Sequence, residues 1–140
     1  MFHHILIGCD GSANAKKALE YAIDFAMHAG AELTVVTAFH KIPDYLGSPQ
    51  YDDIVARLTL EAQKTAEMAA EQARACGIEK VHVEVLQGSP PECILTVANT
   101  RRCDCIVVGS RGLGEMRGLL LGSVSDRLAH HAKVPVLIVK

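Results

Sequence analysis

Five short runs rich in β-branched residues alternate with helical patterns along the 140 residues of the chain. The runs cover positions 4–8, 32–39, 81–86, 105–109 and 136–139. Runs such as Ile106-Val107-Val108 lack polar alternation, which is typical of strands covered on both faces. The order β-α-β-α-β-α-β-α-β therefore predicts a single α/β domain over residues 1–140, with a doubly wound, mainly parallel five-stranded sheet and helices on both faces. A ligand crevice is expected beyond the carboxyl ends of the strands.

The helical patterns have recognisable ends. Ser12 predicts the N-cap of the first helix and Gly30 its end. A second helix is predicted from about Asp52 to Ala75, a third opens at Pro90-Pro91, and a fourth starts near Ser123. The run at 81–86 alternates strictly between apolar and polar residues, so we expect it near an edge of the sheet.

Composition narrows the function classes. Lys and Arg number 14 against 16 Asp and Glu, aromatic residues make up 4%, and Trp is absent. These values argue against nucleic acid as a partner, because neither a basic surface nor a stacking platform is available. The longest apolar runs have about four residues, whereas a bilayer-spanning helix needs ~20. With no leader-like segment at the start, we expect a cytoplasmic protein without a membrane partner.

The cysteine and histidine patterns do not predict a metal site. Five cysteines without framework spacing indicate free thiols in a reducing compartment. In Cys103-Asp104-Cys105, strand alternation places both thiols on one face, but a second pair for zinc is lacking, which favours buried small hydrophobic residues. His3-His4 is interpreted as a surface pair.

Glycines concentrate between the fourth strand and the fourth helix. Five of the eleven glycines fall within residues 109–125. Glycine allows backbone N–H groups to approach a ligand closely, and Gly122-Ser123 precede a helix, where an anion such as phosphate is favoured. The hydroxyls of Ser123 and Ser125, with Arg111 and Arg117, add donors and positive charge. A flexible turn followed by an ordinary serine N-cap is the alternative interpretation.

Familiar catalytic and nucleotide motifs are missing. The chain has no G-x-x-x-x-G-K-[ST], and Gly8-Cys9-Asp10-Gly11-Ser12 is not the G-x-G-x-x-G of dinucleotide-binding folds. It has no G-x-S-x-G either, and no general base stands out against a phosphate, so no catalytic residue is predicted.

The chain resembles the universal stress protein family over essentially its whole length. The resemblance rests on residues 5–12, on Gly88-Ser89-Pro90, and above all on the pattern G-2x-G-9x-G-[ST], met by Gly109, Gly112, Gly122 and Ser123. Residues 134–139 look like the closing strand of the family. The resemblance implies the sheet order 3-2-1-4-5, with the crevice between strands one and four.

The resemblance also implies ATP binding, with Mg²⁺ or Mn²⁺, because members with the complete glycine pattern bind ATP. Asp10 would contact the nucleoside, Ala38 would offer backbone groups to adenine, and the glycine loop would hold ribose and phosphates. A cap-region carboxylate is the alternative role for Asp10. Gly8-Cys9 depart from the usual pattern and could reshape the adenine pocket. The full implied site comprises Gly8, Cys9, Asp10, Ala38, Gly109, Arg111, Gly112, Gly114, Gly122, Ser123, Val124 and Ser125.

Three functions stay open from the sequence. The first is an ATP-binding regulatory module of the stress response that acts through an unknown protein partner. The second is a slow metal-dependent ATP hydrolase or phosphotransferase, and the third is an interaction protein without nucleotide. A homodimer through the strand at 136–139 is implied by resemblance, since that apolar edge needs cover.

Overall fold

The computed structural model describes residues 1–43, 45, 47, 49–112 and 121–140. In these residues five strands alternate with four helices, and the strand bounds lie within one residue of the predicted ones. The elements are β1 (His4–Gly8), α1 (Ala13–Ala29), β2 (Glu32–Phe39), α2 (Gln50–Ala75), β3 (Val81–Gln87), α3 (Pro90–Thr100), β4 (Cys105–Gly109), α4 (Ser123–His131) and β5 (Val136–Val139).

The five strands form one parallel sheet in the order β3-β2-β1-β4-β5. This confirms the predicted doubly wound fold and its strand order, and it confirms β3 as an edge strand. The chain leaves β1 toward β2 on one side and returns to β4 on the other. The carboxyl ends of β1 and β4 are therefore the topological switch point, where α/β folds place a ligand crevice.

Each face of the sheet has its own hydrophobic core. In the first core, Ile5 and Ile7 pack with the buried faces of α1 and α2. In the second core, Leu6 packs with α3 and α4. Covering both faces explains why the central strands are apolar without alternation. The buried face of α2 consists of alanines, whose small side chains allow the helix to lie close to the sheet (Ala62, Ala66, Ala69, Ala70 and Ala73).

The predicted ends of α1 are confirmed. The Ser12 hydroxyl accepts a hydrogen bond from the Ala15 N–H at 3.1 Å, and Gly30 ends the helix in the left-handed conformation with φ of 65°. Both features satisfy backbone groups that lack partners within the helix.

The two neighbouring cysteines lie in opposite cores. Cys105 belongs to the core under α1 and α2, and Cys103 to the core under α3 and α4. The expectation that they share a face is wrong, because β4 begins only at Cys105 and strand alternation does not extend back to Cys103. Both are buried, which confirms the interpretation as small hydrophobic residues.

Within the described part of the chain, every helix is too short or too polar to cross a lipid bilayer.

Candidate functional site

The carboxyl ends of β1 and β4 meet at Asp10 and Gly112. The Asp10 Oδ1 atom accepts a hydrogen bond from the Ser12 N–H at 2.9 Å, across Gly11 with φ of 83°. This turn holds the carboxylate beyond the end of β1. A Cβ atom on Gly112 would lie 2.5 Å from Asp10 Oδ2, so any larger residue here would displace the carboxylate. The predicted residues Asp10 and Gly112 are thus brought together.

Asn14, in the first turn of α1, ties that helix to the segment after β4. Its side-chain oxygen accepts hydrogen bonds from the Arg111 N–H at 2.8 Å and from the Ser110 hydroxyl at 3.2 Å. A Cβ atom on Gly109 would lie 2.7 Å from the same oxygen and 3.0 Å from the Asn14 backbone. Gly109 therefore has a packing reason to be glycine, and its predicted contact with ribose and phosphate stays a prediction. Sequence reasoning missed Asn14, since an amide in a first helical turn does not reveal its partner.

The start of α4 is anchored to the end of β4 through the Ser110 carbonyl. That oxygen accepts hydrogen bonds from the Gly122 N–H and, at 2.8 Å, from the Ser125 hydroxyl. Ser125 is 1% exposed. Its predicted hydrogen bond to phosphate would require this internal bond to break. Ser123 is exposed, and Val124 is half-buried against the second core.

Gly122 is the N-cap of α4 and carries no side chain that could cap the helix. Its φ of −77° and ψ of 171° are extended values that other residues also adopt. Substituting it with valine would therefore not strain the backbone at this position. The first-turn N–H groups of a helix have no partners within the helix, and the helix dipole favours an anion beside them.

Ala38 lies on β2 beyond the point where β1 ends. The Val36 carbonyl accepts from the Cys9 N–H on the β1 side, and the Phe39 carbonyl accepts from the Gly88 N–H on the β3 side. Because backbone groups alternate between the two neighbouring strands, the N–H and C=O of Ala38 are directed to the β1 side. They therefore face the space above the end of β1, and the contact of Ala38 with adenine stays a prediction.

The universal stress protein family model matches residues 1–140. The universal stress protein encoded in the QAH/OAS sulfhydrylase 3′ region of Thermus aquaticus is 40% identical over 140 residues, with 100% of each chain covered. The chain belongs to the universal stress protein family. The stress response protein NhaX of Bacillus subtilis is 32% identical over 167 residues and is likewise covered over its whole length.

Two solved structures show the same architecture. Protein MJ0577 superposes with a TM-score of 0.90 at 27% identity, covering 100% of this chain and 96% of the other. A universal stress protein in complex with cAMP superposes with a TM-score of 0.75 at 26% identity, covering 99% and 97% of the two chains.

Gly8 and Cys9 occupy less open positions than a ligand-contacting role suggests. A Cβ atom on Gly8 would meet the Ile94 Cδ1 atom at 2.9 Å, and Cys9 is buried in the core under α1. Burial, with a smaller contribution from the charge of Asp10, raises the pKa of the Cys9 thiol to about 12. This thiol is protonated at neutral pH and therefore a poor nucleophile. On β2, Thr37 has a buried hydroxyl without a hydrogen-bond partner among the described residues.

Two predicted contributors from the glycine loop, Gly114 and Arg117, lie outside the described residues.

The two histidines at the start of the chain differ from the prediction of a surface pair. His3 is exposed, but His4 is 9% exposed, and its Nε2 atom lies 2.6 Å from the Thr34 hydroxyl oxygen. The prediction is wrong for His4, which begins β1 on the face of the second core. Burial lowers the pKa of His4, and the nearby charge of Glu32 opposes that shift.

Proposed function

We propose that this chain binds ATP, together with Mg²⁺ or Mn²⁺, at the carboxyl ends of β1, β2 and β4 and acts as a nucleotide-dependent regulatory module. The observation that carries the proposal is the contact between Gly112 and the Asp10 carboxylate. It brings the segment after β4 against the end of β1 at the switch point of the sheet. An acidic acceptor and a glycine-capped helix N-terminus then flank the same crevice.

Each part of ATP has matching groups in this arrangement. The backbone N–H and C=O of Ala38 suit an adenine edge, which carries both donors and acceptors. The Asp10 carboxylate accepts hydrogen bonds from ribose hydroxyls. The start of α4, with Gly122 and the exposed Ser123, suits the phosphates.

The residues present are compatible with a metal that ATP brings. Mg²⁺ is usually held by one or two carboxylates together with substrate phosphates and water. Asp10 supplies a carboxylate at this edge, although its Oδ1 atom already accepts from the Ser12 N–H. Bound Mg²⁺ would neutralise phosphate charge.

Relatives support a nucleotide ligand. The family member whose structure contains cAMP carries an adenine nucleotide, and 97% of its length aligns with this chain. A shared adenosine moiety would use the Ala38 and Asp10 end of the crevice, whereas the triphosphate depends on the segment that precedes α4. A regulatory role through a protein partner is part of the same proposal, and the family match over residues 1–140 is compatible with it.

The test is calorimetric titration of ATP and Mg²⁺ into the parent protein and Gly112→Ala. The added Cβ would displace the Asp10 carboxylate, so we expect affinity to fall about tenfold or more, as for loss of a charged hydrogen bond. Gly30→Ala is the matched control, because it strains a glycine with φ of 65° in open space at the other end of α1. It should lower stability and leave ATP affinity unchanged.

Equal ATP affinity in the parent and in folded Gly112→Ala would contradict the proposed site. Absence of saturable ATP binding would contradict the function and favour the interaction protein without nucleotide. Steady-state phosphate release measured on the same samples tests for enzymatic turnover: release at or above about 1 s⁻¹, in the range typical of enzymes, would replace the regulatory proposal with an efficient hydrolase.

We also propose that the protein forms a homodimer through β5. This strand is an edge of the sheet. The carbonyls of Pro135 and Val139 accept from Ile106 and Ser110 on the β4 side. By alternation, the N–H and C=O groups of Val136 and Ile138 face outward, and the N–H that proline lacks does not belong to the open edge.

A dimer pairing two β5 strands would satisfy those outward groups. Light scattering at micromolar concentration should give twice the mass of 15.1 kDa. Val136→Pro would remove one outward donor and should shift the mass toward the monomer, while a monomeric parent protein would contradict the dimer.

A further inference from the structure

Three side chains with metal-binding atoms meet at the amino ends of β1, β2 and β3, at the end of the sheet opposite the crevice. His4 pairs with Glu32 in register, and His82 pairs with Thr34. Leu6 and Val36 lie in the core under α3 and α4, so strand alternation places His4, Glu32 and His82 on that same face. Residues distant in sequence thus converge through strand register.

The distances match the spacing of metal ligands. The His82 Nε2 atom lies 3.3 Å from Glu32 Oε2, and the His4 Nδ1 atom lies 3.6 Å from the same oxygen. The three candidate ligand atoms all lie within 4.8 Å of one another. Tetrahedral ligands at 2.0–2.1 Å from Zn²⁺ are separated by about 3.4 Å. Two of the three spacings therefore already fit a common ion, and a small inward shift closes the set.

The surroundings of His4 favour coordination through Nδ1. Its other ring nitrogen, Nε2, lies 2.6 Å from the hydroxyl oxygen of Thr34, which is fully buried. A proton on Nε2 donated to that oxygen leaves the Nδ1 lone pair facing Glu32. Metal-binding histidines commonly have such a partner on the second nitrogen, which fixes the ring and its tautomer.

An ion has access to the cluster and does not meet an uncompensated positive charge. The side chains of Glu32 and His82 are 34% and 36% exposed, whereas that of His4 is 11% exposed. Lys80 Nζ lies 3.5 Å from the second Glu32 oxygen, but its side chain is 70% exposed and can turn into solvent. The Arg101 guanidinium is paired with Glu84 at 2.7 Å.

We propose that His4, Glu32 and His82 bind a divalent transition-metal ion of the Zn²⁺ type, with water completing the coordination. Two imidazoles and one carboxylate form a donor set typical of Zn²⁺ with one open position, and imidazole disfavours Mg²⁺ and Ca²⁺. The ion would join the amino ends of three neighbouring strands, and binding would stabilise the folded chain.

The test is calorimetric titration of Zn²⁺ alone into nucleotide-free protein carrying Cys76→Ser, since Cys76 is an exposed thiol and cysteine sulfur is a common zinc ligand that would compete in the titration. We expect one ion per chain. Glu32→Gln and His82→Gln should each weaken binding by more than about 100-fold, because even outer-shell partners contribute 10–100-fold. Thr34→Val should weaken it by about 10–100-fold through the His4 ring.

His131→Asn is the matched control, since it removes an exposed histidine at the end of α4 and should leave Zn²⁺ affinity unchanged. Co²⁺ should give the visible absorption of a four-coordinate site in the parent and lose it in Glu32→Gln. Equal Zn²⁺ affinity in the parent and Glu32→Gln, or no saturable Zn²⁺ binding, would overturn the proposal. If His82→Gln fails to fold, Glu32→Gln alone decides, because it retains the shape of the side chain.

Discussion

The two ends of the parallel sheet are built from different materials. At the carboxyl end, Gly109 lets the segment after β4 lie against the Asn14 backbone, and Gly112 leaves room for the Asp10 carboxylate. At the amino end, His4, Glu32 and His82 place imidazole and carboxylate groups side by side. Close backbone approach suits an extended anionic ligand with many N–H contacts, whereas converging lone pairs suit a cation. The comparison shows that the two ends of one parallel sheet can carry chemically different groups.

The largest expected effect concerns the thiol nearest the crevice. At pH 8, a pKa raised from 9.0 to about 12 leaves Cys9 with a thiolate fraction about 10³-fold below that of an ordinary cysteine. Alkylation of the native protein with iodoacetamide, followed by mass spectrometry, should therefore modify the exposed Cys76 and spare Cys9. In urea both should react. Native Cys9 reacting as fast as Cys76 would show that thiol chemistry belongs to this edge.

The next effect tests whether the carboxyl end depends on glycine for packing. Gly109→Ala would place a Cβ atom 3.0 Å from the Asn14 backbone, which cannot move without shifting α1. We expect a loss of about 1–3 kcal/mol in the free energy of unfolding, measured in urea. Gly8→Ala is the comparison: its Cβ atom would meet side-chain atoms only, the Ile94 Cδ1 atom at 2.9 Å and the Val108 Cγ1 atom at 3.2 Å. A smaller loss for Gly109→Ala than for Gly8→Ala would contradict the packing role.

A third prediction is that the two ends of the sheet bind their ligands independently. Asp10→Ala should weaken ATP binding by about 1–3 kcal/mol, the value of a hydrogen bond to a charged group, and leave Zn²⁺ affinity unchanged. Glu32→Gln should do the reverse. Paired titrations of both ligands into both variants measure this. If either variant lost affinity for both ATP and Zn²⁺, the two ends of the sheet would be coupled or the fold would be damaged.

The smallest effect is expected at Ser125. Ser125→Ala removes the hydroxyl that donates to the Ser110 carbonyl, while the Gly122 N–H still satisfies that oxygen. We expect a loss of about 1 kcal/mol in unfolding free energy and little change in ATP affinity. A tenfold fall in ATP affinity without loss of stability would instead support the phosphate contact predicted from the sequence.

The strands and helices were predictable because their signals are local, whereas the strand order was implied by the family resemblance. Each strand is a contiguous run such as 105–109, and Ser12 and Gly30 end α1 through their own backbone and side-chain chemistry. Even the edge position of β3 follows from its alternation of polar and apolar residues. The same locality explains one error: Cys103 lies outside β4, so alternation could not place its thiol.

The sequence pointed to only some of the residues that line the two candidate sites, and the ligand contacts themselves stay predictions. The glycine pattern and Asp10 are read from neighbouring positions, but Asn14 is recognised only through its hydrogen bonds to Ser110 and Arg111. His4, Glu32 and His82 are separated by 28 and 50 positions, and only strand register joins them. Interactions set by tertiary pairing leave no spacing for a sequence pattern to reveal.

The central claim is that the two ends of the sheet bind different ligands. Its most direct test is a ¹H–¹⁵N NMR titration, first with ATP and Mg²⁺ and then with Zn²⁺. ATP should shift the amides of Asp10, Ala38, Gly112 and Ser123 and leave those of His4 and Glu32 in place. Zn²⁺ should then shift the amides at the amino ends of β1, β2 and β3. Two results would contradict the assignment of the nucleotide to the carboxyl ends of the strands. One is that ATP shifts mainly the amides of His4 and Glu32, and the other is that saturating ATP leaves those of Asp10 and Gly112 unshifted.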